Sequence, residues 1–130
     1  MQYRKMEKLN IETSLLGFGC KCFPTTGKEK ISRARSEKMI DIAMQAGVNY
    51  YDTSYTDHNG ESESFIGDVL QKYERGTYYL STKLPCWEVQ SREDAERIFN
   101  EQFERLRTDY IDFYLLHALN AERFHKMCEL

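Results

Sequence analysis

Four short apolar runs end in residues able to bind or react, and they recur at a nearly fixed interval. SLLGFGC ends at Gly19 and Cys20, VNYYDTS carries Asp52, TYYLSTKL carries Lys83, and YIDFYLLH ends on His117. The landmarks Gly19, Asp52, Lys83 and His117 are separated by 33, 31 and 34 residues. A period of about 30 residues is that of a right-handed strand-helix-strand crossover, and its repetition predicts an α/β chain with a parallel sheet covered by helices. Two architectures satisfy the pattern, an open doubly wound sheet and a closed barrel. A barrel of eight such units needs roughly 250 residues, whereas the 130 residues here carry four strands and stop inside a fourth helix, NAERFHKMCEL. Half a barrel is therefore the expectation, with two unpaired strand edges through which copies could associate.

The connecting segments read as helices with recognisable ends. Runs around Tyr3 and from Leu9 to Ser14 flank a polar turn and predict a hairpin over 1–14, followed by βα units over 15–130. Asn10 in that turn tolerates a left-handed backbone. The Lys-, Thr- and Gly-rich stretch from Cys22 to Arg35 predicts a loop, with Ser36 capping a helix through Met39, Ile40, Ala43 and Met44 that Gly47 stops. A second helix is expected from Ser62, carrying Phe65, Ile66, Val69, Leu70 and Tyr73 on one face and closed by Gly76. Ser91 and Asp94 mark the start of a third, with Ala95, Ile98, Phe99, Phe103 and Leu106 as its stripe.

Composition narrows the function classes. With 18 Lys and Arg against 21 Asp and Glu, the net charge of −3 gives no electrostatic footprint for nucleic acid or anionic lipid. No apolar run approaches the roughly 20 residues that cross a bilayer, and MQYRKMEKLN has no signal-peptide core, so a cytoplasmic address is expected. The four cysteines, Cys20, Cys22, Cys86 and Cys128, show no C-x-x-C pair and read as reduced thiols with no metal site. A small-molecule partner is the expectation that remains.

In parallel α/β folds the ligand site lies at the carboxyl ends of the strands. Asp52, Lys83 and His117 would meet there, setting a carboxylate, an ammonium and an imidazole together for proton handling. Singly, each has a plainer reading: Asp52 bonding loop amides, Lys83 solvated at a strand end, His117 bonded to a loop carbonyl. Their common period favours the joint one.

These residues also match a known family. DTSYTDHNGESE, Asp52 to Glu63, resembles the D-T-A-x-x-Y-x-x-G-x-S-E signature of aldo-keto reductases, and STKLP and TDYIDFYLLH resemble two further signatures. MQYRKM, SLLGFGC, GVNYYD and RLRTDYID are similar to the family as well. KLP with Trp87, and LLHALNAERF, look most like the bacterial branch that carries a ferredoxin-like iron-sulfur tail, which lies outside these residues. An iron-sulfur cluster is expected only if a longer product has that tail. The resemblance implies the N-terminal half of a TIM (β/α)8 barrel that binds NADPH and reduces a small-molecule carbonyl by hydride transfer. It further implies that Asp52 pairs with Lys83, that the lysine lowers the pKa of a catalytic Tyr, and that His117 orients the carbonyl. Gly19, Cys20 and Asp52 become expected cofactor contacts, and Trp87 and His117 expected walls of the substrate pocket.

One departure bears on the chemistry. Asp57 occupies the position of the catalytic Tyr. A free Tyr titrates near 10 and a free Asp near 3.9, so an Asp beside Lys83 is expected to be ionised and ion-paired with it, not to donate a proton. Tyr55, two residues away and about 6.6 Å along an extended chain, and His58 are the alternative donors. Glu61, Ser62 and Glu63 are expected to stabilise a helix N-terminus. Most contacts to the adenine, ribose and phosphates come from the family's second half, so tight NADPH binding by these residues alone is not expected. A non-catalytic nucleotide-sensing role and a decayed half-barrel are the competing readings.

Overall fold

A computed structural model describes residues 1–27 and 30–130. The chain opens with an antiparallel hairpin, β1 (Tyr3–Met6) and β2 (Ile11–Ser14), in the register Tyr3 to Ser14 and Met6 to Ile11. Asn10 takes φ 51° in its turn. Four parallel strands follow, β3 (Phe18–Gly19), β4 (Tyr50–Asp52), β5 (Tyr79–Pro85) and β6 (Phe113–His117), paired in the order β3-β4-β5-β6. Helices α1 (Arg33–Gln45), α2 (Glu61–Leu70) and α3 (Arg92–Leu106) connect them, and α4 (Ala121–Glu129) follows β6. Every strand neighbours the one before it, with no reversal. That is the progression of a barrel; a doubly wound sheet reverses at a switch point.

Local chemistry sets the helix ends. After α1, Gly47 at φ 85° donates to the Met44 carbonyl, and Val48 donates to the Ala43 carbonyl at 3.0 Å. These two bonds close the helix in a left-handed glycine stop. A Cβ at Gly47 would meet the Tyr3 hydroxyl at 2.5 Å, and that hydroxyl donates to the Gly47 carbonyl, tying the hairpin to α1. At α3, the Ser91 hydroxyl accepts from the Asp94 amide as expected. The helix α1 begins one turn earlier than expected: Ser32 is its first flanking residue and Ser36 lies inside, fully buried. Arg33, Ala34 and Arg35 favour helix and extend it to the nearer serine.

The first buried strand is shorter than the apolar run predicts. Leu15 and Leu16 are 52% and 63% exposed, because the chain turns there, with the Leu15 amide on the Gln2 carbonyl and the Ser14 hydroxyl on the Leu16 carbonyl. Only Phe18 and Gly19 pair with β4.

Alternation along the strands divides the sheet into two faces. Tyr51 and Leu80 point to the helices and join Ile40, Phe65, Ile66 and Leu106 in the main core. On the opposite face, the rings of Tyr50 and Tyr79 pack on Phe113, with centroids 5.2 and 6.3 Å away. The helices α2 and α3 touch at backbone distance, since a Cβ on Gly67 would stand 2.2 Å from the Arg105 carbonyl oxygen. That approach carries α3, and with it Gln102, against the underside of β5.

Candidate active site

Asp52, Lys83 and His117 lie at the carboxyl ends of β4, β5 and β6, where the parallel register brings Gly19 beside Asp52 and His117 beside Pro85. The Lys83 ammonium donates to Asp52 Oδ2 at 2.6 Å and to the Thr53 carbonyl at 2.7 Å. Its side chain is 17% exposed, so the pair is only partly screened by water. Burial first, and then the Lys83 charge, hold the His117 imidazole below its ordinary pKa, against the opposing charges of Asp57 and Asp52. His117 is thereby kept neutral near neutral pH. Its Nδ1 is buried and has no hydrogen-bond partner among the described residues. The Trp87 ring packs on it at 5.0 Å, with the Arg123 guanidinium 5.4 Å from the indole.

A cavity of about 680 Å³ opens beside this cluster, lined among others by Lys21, Thr56, Asp57, His58, Trp87 and His117. That is within the size range of small-molecule sites. Asp57, His58 and Asn59 line it from the short 3-10 segment Asp57–Gly60, which a kink with non-helical backbone interrupts. His58 and Asn59 take φ 52° and 55°, followed by Gly60 at 86°. A left-handed conformation costs a residue with a Cβ on the order of 1 kcal/mol, so something must hold His58 there. The hold is a hydrogen bond: His58 Nε2 accepts from the Phe23 amide at 3.1 Å, with the two rings 5.8 Å apart.

Several expected roles change. The Cys20 thiol is fully buried in the helix-facing core, its amide donates to the Asp52 carbonyl, and its own carbonyl accepts from Ser62. Burial pushes that thiol well above its ordinary pKa. Gly19 faces the other way and has open space where a Cβ would stand. The ion pair expected between Asp57 and Lys83 does not form. The carboxylate nearest the ammonium is Asp52 on the adjacent strand, and the Thr53 carbonyl takes a further donor. Tyr55 is turned to α3, where its hydroxyl donates to Glu101 at 2.5 Å and the Arg105 guanidinium lies 4.0 Å from its ring. Burial and that carboxylate raise the phenol pKa, the reverse of what an acid at neutral pH needs.

Glu63 is more than a helix-end charge. It is fully buried, accepting from Thr82 and Gln102 at 2.6 Å each and from Arg105 at 3.4 Å. Gln102 in turn donates to the Lys83 carbonyl at 3.1 Å and accepts from the Tyr114 hydroxyl at 2.6 Å. Burial raises the Glu63 pKa. This network fixes β5 directly behind Lys83. Ser62 bridges Thr53 and the Cys20 carbonyl, and Glu61 accepts from the Ile31 amide, so both brace the rim from below. Among the described residues there is no group of three or more His, Cys, Asp or Glu placed to hold a metal, and no helix long and apolar enough to cross a membrane.

The sequence pattern of the Aldo/keto reductase family matches residues 15–129. The chain is 29% identical over 132 residues to an uncharacterized oxidoreductase, YqkF, of Bacillus subtilis, covering 94% of this chain and 40% of that protein. It is 29% identical over 125 residues to the aldo-keto reductase YhdN of the same organism, covering 90% of this chain and 38% of that one. In solved structures, the aldo-keto reductase AKR11C1 from Bacillus halodurans, in its holo form, superposes with a TM-score of 0.76 at 26% identity, over 99% of this chain and 47% of that one. A Klebsiella pneumoniae aldo-keto reductase in complex with NADPH shares the fold with a TM-score of 0.76 at 21% identity, over 100% of this chain and 46% of that one. The barrel half, its strand-end site and the family pattern define one class, and the chain belongs to the aldo/keto reductase family. It spans about 40% of the length of the curated relatives it matches.

Proposed function

We propose that this chain supplies the acid-base rim of an NADPH-dependent reductase acting on small-molecule carbonyls. The observation that carries the reading is the partly buried Lys83–Asp52 pair standing beside a neutral His117 at the edge of a ligand-sized cavity. The residues present fit the cofactor in part. Gly19 leaves a bare backbone surface beside Asp52 that a flat ring can approach, and Cys20 leaves the set of contacts. NADPH, when bound, supplies the hydride.

The protein's task is then charge. As the carbonyl carbon is reduced, negative charge grows on oxygen, and donors within hydrogen-bond reach lower the barrier. The Lys83 ammonium, anchored by Asp52, sets a positive field at the rim. His117, neutral and orphaned at Nδ1, orients the carbonyl, and Trp87 packed on it walls the substrate side. Asp57 stands at the position of the family's catalytic Tyr, where an ionised carboxylate accepts hydrogen bonds and gives no proton. The test is Lys83→Met in the full-length polypeptide, with NADPH consumption followed across a panel of aldehydes and ketones. A loss of 100-fold or more in kcat/KM is expected, within the usual range for acid-base groups of about 10²–10⁴. Undiminished turnover would overturn the role of Lys83.

A second reading, nucleotide binding without turnover, is favoured by Asp57. It predicts stabilisation by NADPH with no carbonyl-dependent oxidation.

A further inference from the structure

We infer that His58 takes over the hydrogen-bond donation that a phenol would give, binding the substrate's carbonyl oxygen through Nδ1–H as a neutral imidazole. The inference rests on the reductase reading above and assigns a residue to it.

Four observations converge. First, His58 lines the rim cavity together with His117, Trp87 and Asp57. Second, its Nε2 accepts from the Phe23 amide at 3.1 Å. A ring nitrogen that accepts carries no proton, so the proton of the neutral ring is on Nδ1, and an imidazolium would set two N–H groups against each other. Third, the Nδ1–H has no acceptor among the described residues and is available to a ligand. Fourth, the backbone is strained at His58 itself, with φ 52° and ψ 45° in a residue that pays for that conformation. Strain held by surrounding contacts marks a position fixed for its side chain.

Apart from His117, which orients the carbonyl, the other candidates are spent. The Tyr55 hydroxyl is committed to Glu101 and the Lys83 ammonium to Asp52 and Thr53, while Asp57 offers a carboxylate. A neutral imidazole is a competent electrophile for a carbonyl, polarising it without giving up its own proton. The charge balance follows. The carbonyl carbon takes a hydride from NADPH, the π pair passes to oxygen, and the resulting alkoxide is held by the His58 donor within the positive field of Lys83. It then takes a proton from water entering the open rim, giving the alcohol, NADP⁺ and hydroxide, which the buffer neutralises.

Two measurements test this. Nitrogen-15 NMR of the His58 ring at pH 7 should show the Nδ1–H tautomer; an Nε2–H tautomer or an imidazolium would overturn the proposal without reference to activity. In the full-length polypeptide, His58→Met keeps a weak sulfur acceptor for the Phe23 amide and leaves no donor in place of Nδ1–H. It should lower kcat about 100- to 1,000-fold with KM little changed, the usual cost of an oxyanion donor. Asp57→Tyr in that background should restore turnover by returning a phenol. Turnover in the parent protein that survives His58→Met intact would overturn the role of His58 alone. No carbonyl-dependent turnover in the parent would remove the reductase reading itself, and this role with it.

Discussion

Replacing Glu63 by Ala should lower the stability of the chain. The side chain is fully buried and its oxygens accept from Thr82, Gln102 and Arg105. Truncation strands the fully buried hydroxyl of Thr82, whereas the Gln102 amide keeps the Lys83 carbonyl and the Thr82 oxygen as acceptors and Arg105 at 27% exposure can turn to water. Leaving that buried donor unpaired costs about 1–3 kcal/mol, partly offset by removal of a desolvated carboxylate. Against a total stability of about 5–15 kcal/mol, that is a large fraction. Urea unfolding of the purified protein would read it as a lower midpoint. Glu63→Gln separates hydrogen bonding from charge. Because burial raises the Glu63 pKa in the folded state, the folded form binds more protons than the unfolded one above the ordinary carboxylate range. The stability contributed by Glu63 is therefore fully present below the unfolded pKa and falls as pH rises through the folded value. Glu63→Gln should be least favourable relative to the parent near pH 4 and gain on it toward pH 7. A Glu63→Ala midpoint within about 0.5 kcal/mol of the parent, the range of ordinary surface changes, would refute the reasoning.

Three other outcomes follow from the packing and electrostatics. Gly67→Ala places a Cβ 2.2 Å from the Arg105 carbonyl, a backbone atom that cannot swing aside, so a loss of about 1–3 kcal/mol or more is expected as a lowered melting temperature. His117 should titrate below its ordinary value by proton NMR, and Lys83→Met should move it up only partway, because burial is the larger cause. With its folded pKa depressed, His117 contributes stability that is present above its unfolded pKa near 6.5 and lost as pH falls through the folded value. Tyr55→Phe should cost about 1 kcal/mol through the lost bond to Glu101, read by urea unfolding, and leave turnover unchanged because that hydroxyl points away from the rim.

The interval between strand ends made the parallel architecture legible, since each crossover has a nearly fixed length. It also placed Asp52, Lys83 and His117 on one rim, and the register then made Asp52 the partner of Lys83. What the sequence concealed was side-chain direction. Gly19 and Cys20 are adjacent, so in extended chain they face opposite sides, yet nothing in the run SLLGFGC says which faces the helices. The same run overstated β3, because an apolar dipeptide at a turn reads like one in a strand. An acid at the start of a helix reads as a dipole partner whether or not it is buried, which is why Glu63 was visible only as a helix-end charge. The left-handed turn at His58 had a sequence signal in Asn59 and Gly60, but the bond to Phe23 that orients the imidazole spans 35 residues and has no local signature.

The reductase reading is tested most directly by following the hydride. The full-length polypeptide would be incubated with NADPH deuterated at the transferred position of the nicotinamide, together with a panel of aldehydes and ketones, and the alcohols analysed by mass spectrometry. Alcohol carrying one deuterium on its carbinol carbon, formed by the parent and largely lost in Lys83→Met, is the predicted result. NADPH that binds while every carbonyl is returned without deuterium would contradict catalysis at this rim and leave nucleotide binding as its function.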